Sequence, residues 1–274
     1  MNVSNVLTLP HFAKVLRESV KPNGKLSHSE RRAVGAVLAL LLLALWTFVH
    51  IPFFPGPGKC WAALQHLWLV DGLGLELFTS VKLYYQSMVV GVVIAGVLAL
   101  ATVFPLMRIP VTWLTYLRFL SMAGVNLFAI ILLGSGYWLM FTLMAFYQTI
   151  TFLKPLVDTI ERIDKGKYAH ARTIYKSEWK VVYEVIILGR AADFLKDIQT
   201  NQYMGWTMLF IIESISLSEG GIGSLMVRLM KNPDLAKVAV MMALCIVAGI
   251  LLDKLPGWAR KRLCPAADLK TERS

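Results

Sequence analysis

The sequence predicts an all-α, polytopic membrane protein with about six transmembrane helices. Of its 274 residues, 57% are hydrophobic and only 16% are charged, and the mean hydropathy is +0.60. This composition is too apolar for a soluble domain of the same length. Several apolar runs are long enough to cross a bilayer. The net charge of +11 is therefore typical of a charge bias that orients a membrane protein, and it does not indicate nucleic-acid binding.

The chain begins with a polar, basic segment, residues 1–32, which is predicted to be a cytoplasmic tail. Apolar residues recur in it at helical spacing, among them Leu9, Phe12 and Leu16, so the segment suits an interfacial helix on the inner leaflet. A solvated tail accounts for it equally well. Residues 33–257 are predicted to form one transmembrane domain, and residues 258–274 a cytoplasmic C-terminal tail.

Six apolar runs are predicted to span the membrane, separated by glycine, proline or charged residues. The third run follows the turn Pro105–Pro110, and Lys154-Pro155 is predicted to end the fourth. A polar loop, residues 154–196, separates the fourth run from the fifth. The predicted spans are residues 33–54, about 79–104, 110–133, 137–152, 198–217 and 238–255.

Lysine and arginine are concentrated on one side of this arrangement. The two ends of the chain, the turn at Arg108 and the loop 154–196 together hold 22 of the 28 basic residues when Lys254 is counted with the C-terminal end. Because basic residues are enriched in cytoplasmic loops, both termini and this loop are predicted to be cytoplasmic. Lys59 and Gly221 are then predicted to lie outside.

No motif indicates chemistry of the chain's own. The sequence has no HExxH and no GxSxG motif, and its Gly-Lys pairs lack the spacing of a phosphate-binding loop. The chain is therefore expected to be neither an enzyme nor a cofactor-binding protein. Its cysteines lie far apart without a CxxC pair, which supports neither a disulfide framework nor a zinc site. They are Cys60, Cys245 and Cys264.

Polar residues inside the predicted spans are candidates for function. A charged side chain in hydrocarbon costs at least about 2.5 kcal/mol, so it usually faces a cavity, a partner or an interface. Arg118 and Glu213 lie deep in the predicted third and fifth spans. Each suits a structural ion pair or interhelical hydrogen bond as well as it suits a translocation path. Ser121, Asn126 and Gln202 leave the same two options open.

The third predicted span and the large loop carry short motifs at a regular spacing. The span contains Leu117-Arg118, Leu120-Ser121 and Leu133–Gly136, and the loop contains Lys176–Trp179. In these features the chain, over about residues 55–265, resembles the membrane permease subunits of binding-protein-dependent ABC importers of the sulfonate, taurine, nitrate and bicarbonate type. Two prolines of the family's third span are replaced here, so this span is expected to be straighter than the family's.

The large loop resembles the family's EAA loop in degenerate form. Tyr175 stands where the family has a glycine, and Leu188 stands where it has a proline. The resemblance implies that residues 168–184 form a helix that docks on an ATPase subunit, with Trp179 as an apolar anchor and Arg172 and Lys176 at the rim. The residues assigned to this coupling contact are Ala171, Arg172, Tyr175, Lys176, Glu178 and Trp179.

The resemblance continues downstream and carries wider implications. Glu213 occupies the position of the family's intramembrane glutamate, and Gly221-Ile222-Gly223 is similar to its glycine turn. A MetI-like permease in the bacterial inner membrane is implied, which carries a small solute such as an anion and has no ATPase site of its own. The implied partners are two cytoplasmic ATP-binding subunits, a second permease copy, identical or not, an extracytoplasmic substrate-binding protein and membrane lipid. The alternative is a non-transporting or divergent membrane scaffold that pairs with a second permease, which the degenerate loop favours.

Overall fold

The chain is helical wherever a regular element is described. The computed structural model describes residues 27–48, 55–231 and 233–263, and within these ranges every regular element is a helix. The chain divides into two compact units, residues 1–63 and residues 64–274. The predicted N-terminal tail lies almost entirely outside the described residues, as does the end of the C-terminal tail.

The first unit contains one long apolar helix, α1, His28–Phe48. Its segment Ser29–Phe48 is long and apolar enough to cross a membrane, and none of it is buried by other parts of the protein. This agrees with the predicted first span, although the helix begins earlier than residue 33 and residues 49–54 lie outside the described part. The next helix, α2, begins at Pro57 and ends at Leu69, so the boundary between the units falls within it.

The second unit contains long helices joined by short helical segments. The elements are α3 (Leu73–Ala101), α4 (Pro105–Thr115), a 3-10 turn (Tyr116–Phe119), α5 (Met122–Leu133), α6 (Tyr137–Glu161), α7 (Lys165–Ile174), α8 (Glu178–Val182), a π-helical turn (Tyr183–Leu188), α9 (Ala191–Glu213), a 3-10 turn (Leu217–Glu219), α10 (Ile222–Lys231) and α11 (Leu235–Leu263).

Length and composition identify four described helices as candidate membrane spans, namely α1, α3, α6 and α11. The count rises to five if α4 and α5 are taken as one broken span. An all-α, multi-pass membrane protein is thereby confirmed. The predicted fifth span corresponds to α9, which has the length of a span but too many polar residues to be counted with the others.

The centre of the second unit is the packing of α3 against α6. A methyl group added to Gly91 would lie 2.9 Å from Gln148 Cβ and 3.1 Å from the backbone nitrogen of Thr149, so only glycine permits this approach. Small residues at helix crossings are the usual way in which membrane helices gain packing energy, because lipid is as apolar as the side chains. Tyr84 and Met144 are fully buried in this region.

The two ends of the bundle are defined by contacts between distant parts of the chain. At the first, called the glycine-turn end, Gly136 lies beside Glu219, and Glu76 lies beside Gly220. At the second, called the loop end, Arg108 donates a hydrogen bond to Glu161 Oε1 at 3.1 Å. Helices α3 and α6 therefore both run from the glycine-turn end to the loop end.

This parallel arrangement determines how the segment between α3 and α6 runs. Residues 105–133 begin at the loop end and finish at the glycine-turn end, so they traverse the bundle as a broken span and do not return to their starting side. The two halves are bent by 105°. The span is not one continuous helix, because Leu120 and Ser121 adopt extended backbone angles and interrupt it without any proline at the break.

Helix α6 also departs from the prediction. Lys154-Pro155 does not end it, and the helix continues through Pro155 to Glu161. An internal proline costs a helix about 3 kcal/mol. Leu153, Leu156 and Val157 are buried on both sides of this position, so the packing of the continued helix offsets that cost.

Helix α9 joins the two ends of the bundle in the opposite direction. Near the loop end, Asp197 Oδ2 accepts a hydrogen bond from the Thr159 hydroxyl at 2.6 Å. At the glycine-turn end, Glu213 lies in the last turn of α9. The helix begins before the predicted start at Ile198 and ends before the predicted end at Leu217. Its polar residue Gln202 is buried, which explains how so polar a helix fits the bundle.

Candidate functional site

The glycine-turn end contains a compact polar cluster around the start of α10. Gly220 and Gly221 have φ angles of +80° and +99°, which side chains disfavour, and they turn the chain sharply into the helix. The first backbone N–H groups of a helix lack partners within the helix. Here they meet side chains from α3 and α9.

Three side chains accept hydrogen bonds from three consecutive backbone N–H groups of this turn. Glu76 Oε2 accepts from Gly221, Ser80 Oγ accepts from Ile222 at 2.8 Å, and Glu213 Oε2 accepts from Gly223 at 2.8 Å. Glu76 Oε1 also forms an ion pair with the guanidinium of Arg228, which lies later in α10. The start of α10 is thus fixed to two other helices by two carboxylates and a hydroxyl, and carboxylates are favoured at a helix N-terminus.

Glycine is required at two positions of this cluster. A methyl group at Gly221 would lie 2.5 Å from the Glu213 carboxyl carbon. A methyl group at Gly223 would lie 2.8 Å from Glu213 Cβ and closer still to the carbonyl oxygen of Phe210. The two features that the sequence analysis assigned separately, the glutamate and the glycine turn, are in direct contact.

Glu213 is fully buried, as its predicted depth required. One of its oxygens bonds to Gly223, while Oε1 is buried without a hydrogen-bond partner in the described ranges. No ion pair joins Glu213 to Arg118 within the described part of the chain. Of the options given for Glu213, the structure contains the interhelical hydrogen bond, which the carboxylate accepts from Gly223 of α10.

Sequence reasoning missed Glu76 and Ser80. The predicted second span began at about Thr79, which left Glu76 outside it, whereas α3 begins at Leu73. The available signal was their spacing of four residues, which places both on one face of a helix. Nothing in the sequence indicated that the facing partner is a turn more than 140 residues later.

A second polar cluster lies inside the bundle, between α3, α6, α9 and α11. The Gln202 amide donates to Asp253 Oδ1 at 2.9 Å, and the backbone oxygen of Gln202 accepts from the Tyr84 hydroxyl at 2.8 Å. Gln148 donates to Ser87 Oγ at 3.3 Å. The amide oxygens of Gln148 and Gln202 are buried with no hydrogen-bond partner among the described residues. Gln202 therefore links α9 to α3 and α11, and its amide oxygen remains an unpaired acceptor in the interior of the described bundle.

The other candidate path residues do not join either cluster. Arg118 is exposed in the 3-10 turn after α4, and its guanidinium lies 4.8 Å from the centre of the Phe119 ring. Ser121 is exposed at the break before α5 and its side chain does not cap that helix. Asn126 is partly buried in α5, with an amide oxygen that has no partner in the described ranges.

The predicted coupling segment lies at the loop end. The expectation of one helix over residues 168–184 is wrong, because α7 ends at Ile174 and α8 begins at Glu178. Tyr175, in the place of the family's glycine, adopts an extended conformation with φ −110° and ψ 127° and ends α7. Lys176 lies exposed in the connection between the two helices.

Two contacts organise this segment. Arg172 donates two hydrogen bonds to the Glu178 carboxylate, at 2.9 and 3.1 Å, which bridges α7 and α8. Trp179 stacks edge-to-face on Phe104 at 5.8 Å, yet remains 70% exposed. Ala171, by contrast, is buried. A groove of about 680 Å³ beside Trp179 is lined mainly by apolar residues of α3 and α8.

A charged cluster on the surface of the glycine-turn end connects α2, the turn before α3, and α11. Asp71 accepts a hydrogen bond from Lys237 Nζ at 2.9 Å and lies 3.0 Å from His66 Nδ1. Partial burial raises the pKa of Asp71, but the hydrogen bonds and charges of Lys237 and His66 together outweigh burial and hold the pKa below its ordinary value. The aspartate is thus held in its charged form.

Together these features describe a multi-pass helical membrane protein with a polar interior, a fixed glycine turn at one end and an exposed helical segment at the other. Comparison of the chain with protein-family models gives no match, and comparison with curated proteins gives none either. Among the described residues, no group of three or more His, Cys, Asp or Glu side chains is placed to hold a metal ion.

Proposed function

We propose that the chain is the permease subunit of an ATP-driven ABC importer, which forms the path for a small solute, such as a sulfonate, taurine, nitrate or bicarbonate. The observation that carries this proposal is the segment from Lys165 to Leu188. It places two short helices at the loop end, between α6 and α9, and presents the exposed indole of Trp179. Aromatic residues are enriched among the anchor residues of protein interfaces.

The glycine turn supports the same proposal. Glu213 and Gly223 correspond to two separate features of the resemblance, and a hydrogen bond of 2.8 Å joins them. A scaffold has no evident need for two glycines that tolerate no side chain beside a buried carboxylate.

The proposed assembly has six crossings, formed by α1, α3, the broken span 105–133, α6, α9 and α11, in a MetI-like arrangement. Both termini and the loop end face the cytoplasm of a bacterial cell, as the bias of basic residues predicts. Two copies of this chain, or this chain and a second permease, bind two ATP-hydrolysing subunits at the loop end. An extracytoplasmic binding protein delivers solute at the glycine-turn end.

The attachment of the segment Lys165–Leu188 to α6 and α9 would couple ATP hydrolysis to movement of the membrane helices. Helix α7 begins four residues after α6 ends, and the π-helical turn leads through Gly189 and Arg190 into α9. A displacement of the segment therefore acts on both helices at once. Because α9 carries Glu213 at its far end, the displacement reaches the glycine turn. Transport then requires only that the ATPase dimer binds two arrangements of these helices with different affinity.

A second candidate is a non-transporting or divergent membrane scaffold. The extended conformation of Tyr175 favours it, because the family's glycine is replaced by a residue that ends α7. Such a chain would still bind a second permease and would contact the ATPase subunits weakly or not at all.

The test is photo-crosslinking from the full chain in the membranes of its own host. A benzophenone amino acid replaces Trp179 in one variant and Trp138 in the other. Trp138 is the matched control, because it is 72% exposed but lies at the start of α6, at the glycine-turn end. We expect an adduct from position 179 with a protein that azido-ATP also labels, and none from position 138. Failure to obtain that adduct, with both variants present in the membrane, would contradict the proposal.

A further inference from the structure

A cavity of about 460 Å³ lies between the broken span, α6 and the first turns of α9. One wall is the break in the span, from Leu117 to Met122, and the opposite wall is α6. We propose that this cavity binds one anionic phospholipid, with the phosphate at the loop end and an acyl chain along α6. The proposal requires only that the chain spans a membrane, and it does not depend on the importer function.

The length of the cavity matches one leaflet of a bilayer. Its lining on α6 extends from Phe146 to Arg162, which corresponds to about 24 Å at the rise of an α-helix. A leaflet with its headgroup region measures roughly 20–22 Å. The cavity therefore extends from the membrane interface towards the middle of the bilayer.

The polarity of the lining changes along this length. The deep part is formed by apolar side chains such as Phe146, Ile150 and Met122. The part nearest the loop end contains the charged residues Lys154, Asp158, Arg162 and Asp197, and Arg118 lies in the wall formed by the break. The lining is thus apolar at depth and charged, with an excess of basic residues, towards the loop end, which corresponds to the acyl chain and the phosphate of a phospholipid.

The carboxylates in the lining are already engaged by the protein. Asp158 pairs with Lys154 on the same helix, and Asp197 accepts a hydrogen bond from Thr159 at 2.6 Å. Arg162 lies within electrostatic range of Asp197 but forms no side-chain hydrogen bond to it in the described structure. The guanidinium groups of Arg118 and Arg162 remain available for an external phosphate.

Arg118 is placed to make the cavity prefer an anionic phospholipid over a zwitterionic one. Its guanidinium lies on the exposed 3-10 turn at the break, where among the described residues it makes a cation–π contact with Phe119 and no ion pair. A guanidinium binds a phosphate through paired, charge-assisted hydrogen bonds. A zwitterionic lipid offers the same phosphate, but its ammonium group is repelled by the basic residues, so an anionic headgroup is preferred.

The test measures lipid binding to the purified full chain in mild detergent by native mass spectrometry. Dioleoylphosphatidylglycerol is titrated against dioleoylphosphatidylcholine, which has the same acyl chains. We expect a single tightly bound phosphatidylglycerol, and Arg118→Gln should weaken it by about 10-fold or more, as expected for lost hydrogen bonds to a charged group. Arg262→Gln is the matched control, because the Arg262 guanidinium also lies 4.8 Å from a neighbouring aromatic ring, that of Trp258, but does not line the cavity.

Two outcomes would overturn the proposal. One is equal retention of the two lipids, or an equal loss in Arg118→Gln and Arg262→Gln. The other is an Arg118-dependent thermal stabilisation by inorganic phosphate alone, without lipid, which would assign the cavity to a soluble anion. Arg162→Gln gives an independent variant at the other side of the phosphate position, and it should weaken phosphatidylglycerol binding in the same direction.

Discussion

Because Glu213 contacts the glycine turn, we expect Gly223→Ala to destabilise the folded protein. The added methyl group would lie 2.8 Å from Glu213 Cβ and closer to the Phe210 carbonyl oxygen, which is backbone and cannot rotate away. Overpacking of this kind costs about 1–3 kcal/mol. Displacement of α10 would also break the bond from Gly223 N–H to the buried carboxylate, at a further cost of about 1–3 kcal/mol.

Against these costs, alanine favours a helix over glycine by about 1 kcal/mol. We therefore expect Gly223→Ala to lower the free energy of unfolding by about 1–5 kcal/mol, measured by denaturant or thermal unfolding of the purified chain in detergent. The control is Gly96→Ala in α3, where an added methyl group meets nothing within 4 Å. That variant should be neutral or stabilised by up to about 1 kcal/mol. Equal stability of the two variants would refute the reasoning.

Three further predictions concern charge and topology. Glu76→Gln should destabilise the fold by about 1–3 kcal/mol in the same unfolding assay, because Glu76 is largely buried, whereas Glu161→Gln in an exposed pair should cost less than about 1 kcal/mol. The pKa of Asp71 is lowered in the folded protein, so the charged carboxylate stabilises the fold. This contribution is complete above the ordinary pKa near 3.9 and is lost as the pH falls through the folded pKa. Asp71→Asn should therefore flatten this part of a curve of unfolding free energy against pH. An impermeant maleimide applied from outside should label Cys60 but not a cysteine introduced by Ser177→Cys. The labelling needs mildly alkaline pH, because burial raises the pKa of the Cys60 thiol. The reverse labelling pattern would contradict the predicted orientation.

Composition and periodicity were sufficient for the class of protein but not for the ends of its helices. The predicted end of the fourth span at Lys154-Pro155 relied on the local effect of proline. In the structure, buried neighbours such as Leu156 hold α6 together through Pro155. A local rule fails where tertiary packing supplies more free energy than the rule removes.

The break in the third span could not be predicted for the opposite reason. Replacement of the family's prolines predicted a helix straighter than the family's and gave no sign of a break, yet Leu120 and Ser121 are extended and the span bends by 105°. No residue at the break forces this geometry. The segments on both sides of the break pack against α6, and a single sequence does not reveal such packing.

The candidate site was predicted in part. Burial of Glu213 agrees with the sequence analysis, which placed this carboxylate inside a span. Its hydrogen bond to the glycine turn was not predicted, because the two features were assigned separately. The identity of that partner, a backbone N–H group and not Arg118, depends on how α9 meets α10. Glu76 and Ser80 were missed because their contacts join α3 to a distant turn.

The measurement that tests the central proposal most directly is ATP hydrolysis by the complex that purifies with the full chain, reconstituted in proteoliposomes. We predict vanadate-sensitive hydrolysis, reduced severalfold or more by Trp179→Ala, because truncation of an interface anchor typically costs at least about 1–2 kcal/mol. Trp138→Ala removes an equally exposed indole at the glycine-turn end of the bundle and should leave the rate of ATP hydrolysis unchanged. A chain that purifies intact without any ATP-hydrolysing subunit, or equal rates for the two variants and the wild type, would contradict the proposal.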